Sequence, residues 1–152
     1  QGGNVVDHNN TEAVVTAAVA DPLTIIASDG LLRGGVGHPR VAGTFARALG
    51  YYVRDLRALT LMDALRKMTL DPAKRLEQRV PAMAFKGRLQ AGADADIVVF
   101  DPVRIIDRAT YREPTRPPLG LRDVLVNGVV VVRNSVVQEG ILPGRAVRAP
   151  IR

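Results

Sequence analysis

Residues 23–27 form an almost uninterrupted apolar run, Leu-Thr-Ile-Ile-Ala, that ends abruptly on Ser28-Asp29-Gly30. A strand that is apolar on both faces must be covered on both, a condition met by a parallel sheet with helices packed on each side. The run therefore predicts a buried strand of an α/β fold. The preceding "TEAVVTAAVA" at 11–20 predicts a helix, with Asn10 or Thr11 as its cap and Asp21-Pro22 as its stop.

Downstream, residues 30–42 read as a loop rich in Gly, Pro and Arg that contains His38. A second helix is expected over about 43–56, with Phe45, Leu49, Tyr52 and Val53 on one stripe. The next helix begins at Thr60, where Thr60 and Asp63 make a capping box and Leu61, Leu65 and Met68 face inward. "DPAKRL" at 71–76 predicts a short helix with Asp71 as cap and Pro72 at its first position. From about residue 85 the pattern turns to β. "DIVVFDP" at 96–102 reads as a strand, and "DVLVNGVVVV" at 123–132 as a hairpin about Asn127-Gly128. A boundary near residue 84 thus separates a helical part, 1–84, from a β-rich part, 85–152. A barrel of eight β/α units needs about 250 residues, so 152 residues with one parallel strand predict the end of a larger chain. The start on Gln1 rather than Met agrees with that expectation.

Composition narrows the function classes. The sequence has no cysteine, which excludes disulfides and thiolate metal sites within it. No apolar run reaches the length of a membrane span and no signal-peptide pattern opens the chain. A cytoplasmic protein is the default expectation, any upstream signal lying outside this sequence. The net charge of +6 comes from scattered Lys and Arg, and aromatics make up only 4%. Nucleic-acid binders cluster basic residues and interleave stacking aromatics, so an Arg-rich solvated surface is favoured and neither nucleic acid nor membrane is expected as a partner. An anionic small molecule is compatible with the charge.

Asp29 is the first chemical candidate. Side chains at the carboxyl end of a parallel strand face the crevice where α/β proteins bind ligands. A carboxylate there can hold a divalent metal or take a proton from a metal-bound water; equally, Ser-Asp-Gly is ordinary turn chemistry. His38 and Arg40 follow in "GHPR". Arg offers a planar fork for a carboxylate, and a loop Arg beside a solvated His is the plain alternative. His8 lacks a second ligand at metal spacing and reads as a hydrogen-bonded structural residue. Lys67 reads as solvent-facing on its helix. "GADAD" at 92–96 offers two carboxylates, too few for a calcium loop, and reads as a turn into the strand.

Taken together, "IASDG", "GHPRVAGTFARALGYYVRD", "LTLMDALRKMT", "PAKRL", "KGRLQAGADADIVVFDP", "DRATY", "VLVNGVVVV" and "PGRAVR" resemble, in that order, the carboxyl end of D-aminoacylase-like enzymes. These are the N-acyl-D-amino-acid deacylases of the amidohydrolase superfamily. The resemblance runs from about residue 20 to 148. It implies the last β/α unit or units of a metal-dependent (β/α)8 barrel, followed by the β-rich part of a small β-sandwich. It implies that Asp29 is a catalytic residue and metal ligand that orients or deprotonates a zinc-bound water and then helps protonate the leaving amine. Arg40, with His38 as a further candidate, would line the pocket and meet the substrate carboxylate. The family's other ligands, a His-x-His and later His and Cys residues, have no counterpart here and are expected upstream of Gln1. Two departures stand out: the longer link "EQRVPAMAF" at 77–85, and "RNSVV" at 133–137, which lacks the usual turn glycine. The resemblance implies part of a zinc-dependent hydrolase acting on N-acyl amino acids or related amides, inactive as this fragment alone. The alternative is a non-catalytic binding or assembly module that associates through an exposed barrel edge.

Overall fold

A computed structural model describes residues 9–150, an α/β arrangement of four short α-helices, a two-stranded ribbon and a four-stranded antiparallel sheet. Helix α1 spans Glu12–Ala20; the Thr11 hydroxyl accepts the Val14 N–H at 3.4 Å, satisfying a donor the helix leaves open. The chain leaves α1 through a tight turn, in which the Asp21 carboxylate accepts the Leu23 N–H at 2.8 Å.

Residues 24–30 then run without a ladder, so the strand expected over 23–27 is not formed among the described residues. A strand is a property of pairing, and every paired strand described here is antiparallel and lies elsewhere in the chain. Leu23 is 93% exposed. The apolar faces read from the sequence are therefore real but uncovered. The one backbone tie to the helices is the Ile26 N–H, which donates to Lys67 O at 3.1 Å.

The ribbon pairs β1 (Leu32–Arg33) with β2 (Val36–Gly37) across Gly34-Gly35, both at positive φ. Helix α2 covers Arg40–Arg47 and runs directly into a π-helix, Ala48–Asp55. The expected helix thus starts three residues earlier, because Pro39 already has helical φ and its carbonyl accepts from Ala42 and Gly43. The expected stripe also fails at Phe45, which is 47% exposed. The buried side is instead Gly43, Ala46, Ala48, Leu49, Gly50 and Tyr52. Bonds from i to i+5 change the angular spacing of side chains, so a 3.6-residue stripe cannot hold across Ala48. Gly50 has no substitute here, since a Cβ would collide with the Ile105 carbonyl.

Helix α3, Leu61–Met68, begins at the expected cap: the Thr60 hydroxyl accepts the Asp63 N–H at 3.1 Å and donates to the Asp63 carboxylate at 2.6 Å. Helix α4, Leu70–Glu77, follows after Thr69 alone. Asp71 is not its cap. It lies in the first turn and pairs with Arg66 at 3.0 Å, while Pro72 is the third helical residue, where a missing N–H costs nothing. A 3₁₀ turn over Pro81–Phe85 ends the helical part.

The sheet consists of β3 (Ile97–Phe100), β4 (Leu121–Val126), β5 (Val129–Arg133) and β6 (Val136–Val137), in sequence order. Asn127 and Gly128 both take positive φ, as a two-residue hairpin matched to strand twist requires. At 133–137 Asn134 and Ser135 take those conformations without glycine, held by the Asn134 N–H on Asp123 and the Ser135 hydroxyl on the Leu121 carbonyl. Ala46, Leu49, Ala64 and Ile105 form the core cluster, flanked by Leu61, Leu65, Met68, Phe100 and Leu121. Ile105 comes from the β-rich part, so one core joins helices to sheet.

Candidate functional site

Asp29 sits at the end of the unpaired extended segment with φ 45°, a left-handed conformation that Asp tolerates better than most residues. Its neighbour Gly30 passes α2 so closely that a Cβ would lie 2.8 Å from Val41 Cα. That approach brings Arg40, the first residue of α2, onto Asp29. Arg40 Nη2 donates to Asp29 Oδ2 at 2.7 Å and Nε donates to the Asp29 backbone carbonyl at 2.9 Å. One guanidinium therefore fixes both the carboxylate and the backbone that carries it. With Asp29 87% and Arg40 44% exposed, solvent screens the pair, and it contributes no more than about 1 kcal/mol to stability. Its consequence is geometric: the carboxylate is aimed, and Oδ1 stays open.

His38 lies behind Arg40. Its Nδ1 accepts the Arg40 backbone N–H at 3.1 Å. Its Nε2 lies 3.2 Å from the Tyr111 hydroxyl, and the two rings meet edge to face with centroids 5.2 Å apart. The structure thus brings together all three residues singled out by sequence, Asp29, His38 and Arg40, and adds Tyr111. Sequence reasoning did not single out Tyr111 as a site residue, although it closes the "DRATY" motif; the available signal was an aromatic residue in an otherwise polar, Arg- and Pro-rich loop, 107–118. His8 lies outside the described residues.

Lys67 contradicts its expected solvent exposure, being 1% exposed. Its Nζ donates to the Asp21 carbonyl and, at 2.9 Å, to the Thr24 hydroxyl. Lys67 follows the fully buried Ala64 by three residues, on the face of α3 that meets the 21–26 segment, and there the ammonium finds acceptors in place of water. It anchors the root of the segment that ends on Asp29.

The two carboxylates of "GADAD" serve a structural role. Asp94 and Asp96 flank the Lys86 ammonium at 3.0 and 2.6 Å, and Asp96 also accepts the Asn127 N–H at 2.9 Å. The Lys86 hydrogen bond, with the backbone N–H, holds the Asp96 carboxyl below its ordinary value, while Asp96 raises Lys86. A second polar cluster ties α1 to the π-helix: the Tyr52 hydroxyl donates to Glu12 at 2.7 Å, and Arg47 stacks over Tyr51. Burial and the Glu12 bond push Tyr52 up to about 12.

A zinc centre needs three or four converging nitrogen, oxygen or sulfur ligands. Among the described residues no group of three His, Cys, Asp or Glu is placed to hold a metal ion, and one Asp29 oxygen is already engaged by Arg40. The described residues do not by themselves fit zinc. Nor is any helix among them long and apolar enough to cross a membrane.

The pattern of the amidohydrolase family matches residues 8–132. An N-acyl-D-glutamate deacylase from Alcaligenes xylosoxydans xylosoxydans is 44% identical over 82% of this chain and 24% of its own. A solved D-aminoacylase, described for its binuclear metal centre, superposes with a TM-score of 0.77 at 39% identity, over 85% of this chain and 26% of that one. An N-acyl-D-glutamate deacylase from Bordetella bronchiseptica, complexed with zinc and a phosphonate mimic of the tetrahedral intermediate, matches with a TM-score of 0.73 at 44% identity, over 80% and 24%. The chain spans about a quarter of the length of these relatives.

Proposed function

The chain belongs to the amidohydrolase family, and from that premise we propose that it forms the carboxyl-terminal quarter of a hydrolase cleaving the amide bond of N-acyl-D-amino acids. The observation that carries the reading is the aimed carboxylate of Asp29 at the end of an apolar segment, in a chain whose relatives are D-amino-acid deacylases. On this reading residues 23–27 become the last strand of a (β/α)8 barrel once neighbouring strands cover Leu23 and Ile25. Residues 1–84 then complete the barrel, and residues 85–152 supply part of a β-sandwich.

Asp29 Oδ1, open beside the oxygen held by Arg40, takes the proton of the attacking water and later returns it to the departing amine. Arg40 has five N–H donors and spends two on Asp29; those remaining face the substrate carboxylate, with His38 behind. A zinc ion, the metal proposed for the whole protein, would be held chiefly by ligands other than the described residues. For that reason the chain alone is expected to be inactive.

The test is amine release by the full-length protein from a panel of N-acetyl-D- and N-acetyl-L-amino acids. The reading predicts turnover of D-substrates, and no release from any member would contradict it. The exposed apolar surface favours a second reading for the isolated chain, an assembly module. Stoichiometric zinc in the chain alone would contradict the ligand argument on which both readings rest, and size-exclusion chromatography separates a self-associating module from a monomeric fragment.

A further inference from the structure

We propose that Tyr111 is a positioning residue for Arg40, acting through the ring of His38. The inference rests on the reading of Asp29 and Arg40 as site residues, and extends that site into the β-rich part of the chain.

Arg40 opens α2, where backbone N–H groups lack partners within the helix. His38 Nδ1 accepts the Arg40 N–H at 3.1 Å, so that nitrogen carries no proton. A neutral imidazole then bears its proton on Nε2, which lies 3.2 Å from the Tyr111 oxygen and donates to it. The edge-to-face packing of the rings, 80° between planes, holds the same orientation sterically. The ring is therefore held in one tautomer by contacts on both of its nitrogens. Through it, Tyr111 sets the backbone from which the Arg40 side chain reaches both the Asp29 carbonyl and carboxylate. Tyr111 stands 73 residues along the chain from His38, in the loop spanned by the Ile106–Leu119 bridge. The β-rich part thereby contacts the turn at His38 that leads into α2.

The experiment is nitrogen-15 NMR on this chain with His8→Gln, which leaves one imidazole. The parent should show a bare Nδ1, a protonated Nε2 and a protected Arg40 Nε–H. In Tyr111→Phe the two ring nitrogens should move toward averaged shifts. Exchange of the Arg40 Nε–H should rise about tenfold, the equivalent of one modest hydrogen bond. Unchanged signals from the β4–β5 hairpin confirm that the fold is intact. A protonated Nδ1 in the parent, or no change at Arg40 in Tyr111→Phe, overturns the proposal whatever the protein catalyses. In the full-length hydrolase, Tyr111→Phe should raise KM about tenfold with kcat within about twofold. An unchanged KM beside a changed ring also overturns it. Full activity of Asp29→Asn sinks the hydrolase reading instead, and leaves the NMR result to decide the relay.

Discussion

Lys67 shows what a single residue can hide. Its acceptors stand 46 and 43 residues away, beyond the reach of any local pattern, so its type alone predicted solvent. Replacing it with Ala opens a cavity and takes a charged donor from the Asp21 carbonyl and the Thr24 hydroxyl, which keep the bonds they make with each other and with Ala18, and should cost about 3 kcal/mol. Lys67→Met keeps the packed stem and should cost about 1 kcal/mol, as urea denaturation would read. Asp29, by contrast, stood out as a candidate because an apolar run ending on a carboxylate is conspicuous, and "GHPR" marked His38 and Arg40 close downstream; the pairing of Arg40 with Asp29 itself was not readable, because it depends on how Gly30 packs on α2. Tyr111 was not legible as a partner, because only the fold brings its loop to that turn. Gly120 is a further residue fixed by the fold. It takes φ 75°, and an added Cβ would lie 2.5 Å from Ile105 N. Gly120→Ala should therefore destabilise by more than about 2 kcal/mol in the same assay.

Among the elements, those governed by local chemistry were the readable ones. Thr11, the Thr60–Asp63 box and Asn127-Gly128 each act within three residues of themselves, and each forms as expected. The π-helix was not readable from a 3.6-residue period, and neither was the close approach of Gly50 to the Ile105 carbonyl within it. The link between the 86–96 segment and the β4–β5 turn depends on Lys86, Asp94 and Asp96. Asp96 is depressed below its ordinary 3.8, so its contribution is complete above that pH and lost as pH falls through the folded value. Lys86 is raised above its ordinary 10.5, so its contribution is complete below that pH and lost as pH rises through the folded value. Both operate together between about pH 4 and pH 10. Asp96→Asn should remove about 1 kcal/mol there after allowance for its partial exposure, and flatten the acid limb of a stability-against-pH curve. An acid limb identical to that of the parent would exclude this role.

The molecule as a whole leaves much apolar surface bare: Leu23 at 93%, Leu142 at 92%, and Val136 and Val137 on the edge strand of the sheet. Such surface on the isolated chain should drive self-association. Light scattering should show a mass rising with concentration, and Leu23→Lys with Ile25→Lys should lower it. A monomer at all concentrations would contradict this expectation. The sequence pattern suggested a parallel strand because it carries apolar side chains on both faces; among the described residues no strand pairs with it, and Leu23 and Ile25 stay exposed. The chain spans about a quarter of its relatives, so the role proposed for Asp29 is decided in the full-length protein. The most direct measurement is kcat of Asp29→Asn on an N-acetyl-D-amino acid, with metal content matched to the parent. If Asp29 transfers the proton as proposed, its loss should lower kcat by about 10³-fold, whereas turnover within a few fold of the parent would contradict the proposed role.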